Sequence, residues 1–196
     1  MMRVLCFTSG AILMAASAIA QPPAAGQPTT LAISLQRGYA NIKLNVTQSA
    51  DKLSDADYGF KVGSMAETRT FGQLFSHIAQ AQYGTCAAVK GVANPVQGQQ
   101  LEQSLKTKAE VVKALTDSFA FCDDAFASLT DQNALGMIKQ GQGTIARAAA
   151  LANLVVHSNE MYGTSAAYLR ARGVVPPSTE RQAMGRGGRG GRGQQP

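Results

Sequence analysis

The chain has 196 residues, 45% of them apolar and 15% charged, which is enough for one domain with a proper core. Its formal net charge of +6 would suit a nucleic-acid binder, yet five of the eighteen basic residues, Arg3, Arg181, Arg186, Arg189 and Arg192, lie at the two ends. Without them thirteen cations face twelve acids, so the domain offers no basic face and no nucleic-acid partner is expected.

The N-terminus carries Arg3, an apolar run from Val4 to Ala16, and Ala18-Ile19-Ala20 directly before Gln21. This is the pattern of a cleavable secretory signal peptide over residues 1–20. The run falls short of the roughly twenty apolar residues that span a bilayer, and no later stretch comes closer, so no membrane span is expected. The mature protein is expected to be periplasmic or secreted, and Cys6 is lost with the signal. Residues 21–28 read as a flexible Pro/Ala/Gly spacer.

Four amphipathic helices follow from apolar residues recurring at steps of three and four. Leu31, Leu35, Tyr39, Ile42 and Val46 share one face of the first, which ends near Ala50. Ser64 and Glu67 have the spacing of a capping box, predicting a second helix from about Met65 to Lys90. Phe71, Leu74, Phe75, Ile78 and Ala81 form its stripe, and His77 should point inward beside Leu74 and Ala81. Gly91 and Asn94-Pro95 stop it.

The third helix is expected to run from Leu101 to Leu129 on a stripe that includes Leu105, Val112, Leu115, Phe119, Cys122 and Phe126. The fourth begins between Asn133 and Thr144 and closes with Arg170, Arg172, Gly173 and Pro176-Pro177, where cations, a glycine and prolines end a helix. Gly136, Gly141 and Gly143 leave room for an extra short helix before it. No run alternates apolar and polar residues long enough to predict a strand, so the fold class is all-α and burying the four stripes together gives a four-helix bundle over residues 29–180. From Arg181 to Pro196 the chain is rich in arginine and glycine with little to bury, and reads as a disordered tail that is solubilising or weakly polyanion-binding.

Catalytic motifs are scarce. No Gly-x-Ser-x-Gly elbow, Cys-x-x-Cys or phosphate-binding glycine loop occurs. Asp123-Asp124 and Asp55/Asp57 sit at spacings that do not converge on one point of a helix, and read as solvated faces.

Several stretches together resemble the DinB-like (DinB/YfiT) family, in particular its exported bacterial members. They are Arg69 to Ala79 (RTFGQLFSHIA), then Tyr83 and Cys86, Phe119 to Phe126 (FAFCDDAF), and His157 to Pro177 (HSNEMYGTSAAYLRARGVVPP). The resemblance implies an up-down-down-up bundle with the second and third helices parallel. It also implies a metal site of three histidines, one on the second helix and two spaced by four on the last. His77 matches the first position and His157 the second, but the third is Met161, and the chain has only two histidines. Residues four apart share a helix face, so Met161 is correctly placed; its thioether is a poor donor for zinc or nickel and suits Cu(I).

Three readings of this site stay open. The histidines are core residues left over from an ancestral site and bind no metal; or His77 and His157 bind a divalent ion such as zinc or nickel with a water or a carboxylate, Glu160 being nearest; or Met161 is a true ligand to Cu(I). The functional alternatives follow: a metal-dependent hydrolase or thiol-transferase, or a non-catalytic bundle that binds a small molecule or a protein partner, with a homodimer open in either case.

The implied topology also bears on Cys86 and Cys122. In an up-and-down bundle they would lie about 24 Å apart, far beyond the roughly 7 Å limit for bridged Cα atoms. With parallel helices both fall near C-terminal ends at one end of the bundle, and a disulfide becomes feasible in an oxidising compartment. Two separate buried thiols are the alternative.

Overall fold

A computed structural model of the protein describes residues 29–187. The expected signal peptide (1–20) and spacer (21–28) lie outside the described residues, as does the chain beyond Gly187.

Six helices and one short hairpin are seen in this span: α1 (Leu31–Asp51), α2 (Phe71–Lys90), α3 (Leu101–Ser104), α4 (Lys108–Ala127), β1 (Met137–Gln140), β2 (Gly143–Ala146), α5 (Arg147–Ala171) and α6 (Pro177–Gly187), with a 3-10 turn at Asp55–Gly59. The long helices α1, α2, α4 and α5 are the four predicted from periodicity. Their inward faces meet in one core around Ile42, Phe71, Phe75, Ile78, Leu115, Phe119, Phe126, Leu151 and Leu169, all of them essentially sealed from solvent.

Hydrogen bonds between the helices set their directions. At one end Ala32 N donates to Asp131 Oδ1 (3.0 Å) and Gln36 Nε2 to the Phe126 carbonyl (3.0 Å); at the other, Lys108 Nζ donates to the Leu53 carbonyl (2.8 Å), so α1 and α4 are antiparallel. Arg147 Nη1 donates to the Val89 carbonyl (2.7 Å) and Tyr168 OH to the Arg69 carbonyl (2.6 Å), which makes α5 antiparallel to α2. Lys90 Nζ reaches the Phe121 carbonyl (3.2 Å), while Gly72, Gln73 and Val111 line one cavity near the N-terminal ends of α2 and α4. Those two helices are therefore parallel, and the bundle is up-down-down-up.

Four boundaries differ from the sequence-based expectation. Helix α2 starts at Phe71, six residues later than expected, because the working capping box is Thr70 with Gln73: Thr70 Oγ1 accepts from Gln73 N (3.2 Å) and Gln73 Oε1 from Thr70 N (2.8 Å). Residues 61–67 are all exposed, so no buried stripe supports a helix there. The expected third helix is split. A parallel neighbour requires the chain to travel back along α2 first, and the single turn α3 lies on that crossover before Thr107 and Glu110 cap α4.

The glycine-containing stretch before α5 forms an antiparallel hairpin pairing Ile138 with Ile145, with Gly141 at φ 59° in its two-residue turn. Strands of four residues are too short for alternation to register, so the sequence pattern predicts none there. Finally, Pro176-Pro177 end one helix and open another: α6 holds Arg181, which donates to Gln48 Oε1 (2.7 Å) and to Asn45 Oδ1, and Glu180, which pairs with Lys52 (2.7 Å). The expected disordered tail thus does not begin at Arg181. Polar contacts with α1 hold this segment where composition offered no apolar stripe.

Candidate metal centre

His77 stands in the second turn of α2 and His157 in the middle of α5, and the antiparallel pairing of those helices brings the two rings together with centroids 4.9 Å apart. Met161, one turn beyond His157, is buried in the core cluster. The three sequence-predicted residues therefore occupy one region of the α2–α5 seam. Both imidazoles are only partly buried, so His77 faces the seam rather than the centre of the core.

Two further residues complete the site and were not found from the sequence. Glu102, carried by α3 on the crossover, places Oε1 2.5 Å from His77 Nδ1. Arg69, just before α2, donates from Nε to Glu102 Oε2 (2.7 Å). A carboxylate accepts, so the His77 Nδ1 that faces it carries a proton. The backbone of Glu102 and its neighbour is tied to α2 too: Gln73 Nε2 donates to the Glu102 carbonyl (3.4 Å) and Gln80 Oε1 accepts from Leu101 N (2.9 Å). The sequence-based third helix starts at Leu101, and no sequence signal reveals that a crossover delivers Glu102 to α2. Glu160, expected to be the nearest carboxylate, is instead exposed.

Electrostatics divide the two rings. Partial burial alone would raise the Glu102 carboxyl, but hydrogen bonds from Arg69 and His77, and their charges, outweigh it and hold Glu102 below the usual carboxylate range. Burial pulls His157 below the ordinary imidazole value, assisted by His77 and Arg69 and opposed by Glu160. The Nδ1 of His157 is buried without a hydrogen-bond partner in the protein.

A family model described as the DinB superfamily matches residues 45–164, which span α2, α4 and every residue of the site. The chain belongs to the DinB superfamily. A crystal structure of a DinB-like protein from Bacillus cereus superposes with a TM-score of 0.60 at 14% identity, covering 73% of this chain and 93% of that one, a likeness of fold. No curated protein matches the chain.

Against this background the donor set can be tested for zinc or nickel. Met161 offers a thioether, Glu160 points to solvent, and Glu102 is already engaged by Arg69 and by His77 Nδ1. Among the described residues no group of three His, Cys, Asp or Glu side chains is placed to hold an ion. The residues do not fit a three-histidine centre of the kind the DinB resemblance implies.

Elsewhere in this DinB chain, the paired acids diverge. Asp123 binds Lys43 Nζ (2.7 Å) and Tyr39 OH (2.8 Å), Asp124 is largely exposed, and Asp57 meets Arg172 (2.7 Å). Cys86 and Cys122 stand at disulfide distance, with Cα atoms 5.3 Å apart. Among the described residues no helix is long and apolar enough to cross a membrane.

Proposed function

We propose that this DinB-superfamily chain is exported, and that it acts as a binding bundle rather than as a zinc- or nickel-dependent hydrolase or thiol-transferase. The observation that carries the reading is the replacement of the third nitrogen donor by buried Met161, with the one carboxylate at the histidines tied up by Arg69. A divalent ion activates water when enough strong ligands fix it and leave one position open. Two imidazoles and a weakly donating thioether do not fix such an ion. The leader at residues 1–20 and the disulfide-distance cysteines support export.

The test is metal analysis of the protein purified from the periplasm, beside Met161→His. The parent is expected to begin at Gln21 and to carry no stoichiometric zinc or nickel, whereas Met161→His gains about one equivalent of either. One equivalent of zinc or nickel in the parent overturns the binding-bundle reading, and an intact leader on cytoplasmic protein overturns export.

A further inference from the structure

We propose that the cleft between the C-terminal end of α2, the β-hairpin and the start of α5 binds a small organic carboxylate with an apolar body. This rests on the binding-bundle reading only for the expectation of a ligand, and it supplies a ligand class and a site apart from the histidines. Lys90, at the cleft, lies about 20 Å along α2 from His77. The cleft has a volume of about 490 Å³, a size that suits a small molecule. Val89, Val92 and Ile138 give it apolar walls, and Lys90, Lys139 and Arg147 also line it. Among the described residues that line it, none is acidic.

Arg147 decides the chemistry. It opens α5, and its Nη1 donates to the Val89 carbonyl (2.7 Å), which holds the guanidinium at the cleft. Its Nε is buried with no hydrogen-bond partner in the protein. A buried polar group left unpaired calls for an explanation, and the free edge of a guanidinium matches the two oxygens of a carboxylate. No salt bridge among the described residues includes Arg147 or Lys139, so neither charge is already neutralised. Lys90 differs: its Nζ donates to the Phe121 carbonyl (3.2 Å), lies over the Phe121 ring (4.1 Å) and stands 3.6 Å from Asp124. The carbonyls that end α2 would repel an anion, but they are taken. Those of Ala87 and Ala88 accept from the Gly91 and Val92 amides, and that of Val89 from Arg147. A bare inorganic anion would leave the Val92 and Ile138 walls in water, so the anionic head calls for an apolar body.

The experiment is a titration of the mature, oxidised protein with hexanoate, followed through its backbone amide resonances. Saturable shifts are expected in residues 90–92 and 139–147, with neutral hexanamide and inorganic phosphate each binding about fivefold more weakly or worse. Arg147→Lys keeps the charge and loses the fork, and is expected to weaken hexanoate by about fivefold. Val92 is 50% exposed, so Val92→Asp should leave the thermal melt unchanged while its carboxylate and the lost apolar wall abolish the shifts. The absence of saturable shifts, hexanamide or phosphate binding as well as hexanoate, or a folded Arg147→Lys or Val92→Asp variant that binds like the parent overturns the carboxylate site. If the parent carries no zinc or nickel and ignores hexanoate, only this site falls; if it carries stoichiometric zinc or nickel and binds hexanoate at the cleft, the site stands and the proposed function falls.

Discussion

Gln82 lies on the core face of α2 with 1% of its surface exposed, and neither its amide oxygen nor its amide nitrogen has a hydrogen-bond partner in the protein. An unpaired buried amide costs about 1 to 3 kcal/mol, so Gln82→Met, which keeps the length and removes the polar atoms, is expected to raise the unfolding free energy by about that amount in a urea titration. A loss instead would mean that the amide is satisfied by bound water. His157 makes a second prediction at this scale. Its folded value lies below the ordinary imidazole value of 6.5, so below that pH the unfolded chain takes up a proton that the folded chain resists. Stability should therefore fall as pH drops from about 6.5 toward the folded value, and be recovered above it. Measured with chelator present, His157→Gln is expected to show a flatter loss between pH 7 and pH 5 than the parent; equal slopes would refute the assignment. Both groups were visible as residues in the sequence, but their burial and lack of partners depend on neighbours contributed by other helices.

At the scale of elements, the ends of the helices are fixed by side chains that the hydrophobic pattern does not reveal. Thr107 Oγ1 accepts from Glu110 N (3.2 Å) and Glu110 Oε2 accepts from Thr107 N (2.9 Å), so α4 begins on a reciprocal cap. Thr107→Ala is expected to cost about 1 kcal/mol in denaturant unfolding without changing the helix content of the native state. Helix α6 provides a stronger case. Removing residues 181–196 would leave Asn45, 5% exposed, without the Arg181 guanidinium that its side-chain oxygen accepts from. The truncated protein is expected to lose about 1 to 3 kcal/mol, and Arg181→Ala most of the same. A truncation that melts with the parent would show that α6 contributes nothing. Composition alone points the other way, because an element held by polar contacts to α1 has no periodic apolar signature of its own.

At the scale of the molecule, the parallel pairing of α2 with α4 links the cysteine pair to the histidine site. It brings Cys86 and Cys122 to the same end of the bundle, and it forces the chain between Gly91 and Thr107 to cross back over α2, where α3 presents Glu102 to His77. Mature protein alkylated without reductant is expected to show no modified cysteine by mass spectrometry. Reduction of a bridge spanning 36 residues is expected to lower stability by about 3 to 4 kcal/mol on the loop-entropy argument. Two alkylated thiols in untreated protein would rule out the bridge.

The sequence by itself determined the all-α class, the four long helices and most of their inward faces, because spacings of three and four are a local property of an amphipathic helix packed on a core. It also placed His77, His157 and Met161 four residues apart or on matching stripes, which their resemblance to the DinB family then joined into one site. Tertiary structure alone decided what surrounds them. Glu102 and Arg69 act on His77 only because a crossover and the residues before α2 fold against it, and such contacts between distant segments leave no period in the chain. The same holds for the break at Leu105, the short hairpin before α5 and the docking of α6: each depends on where the next helix must go, which is a property of the packed bundle and not of any one segment.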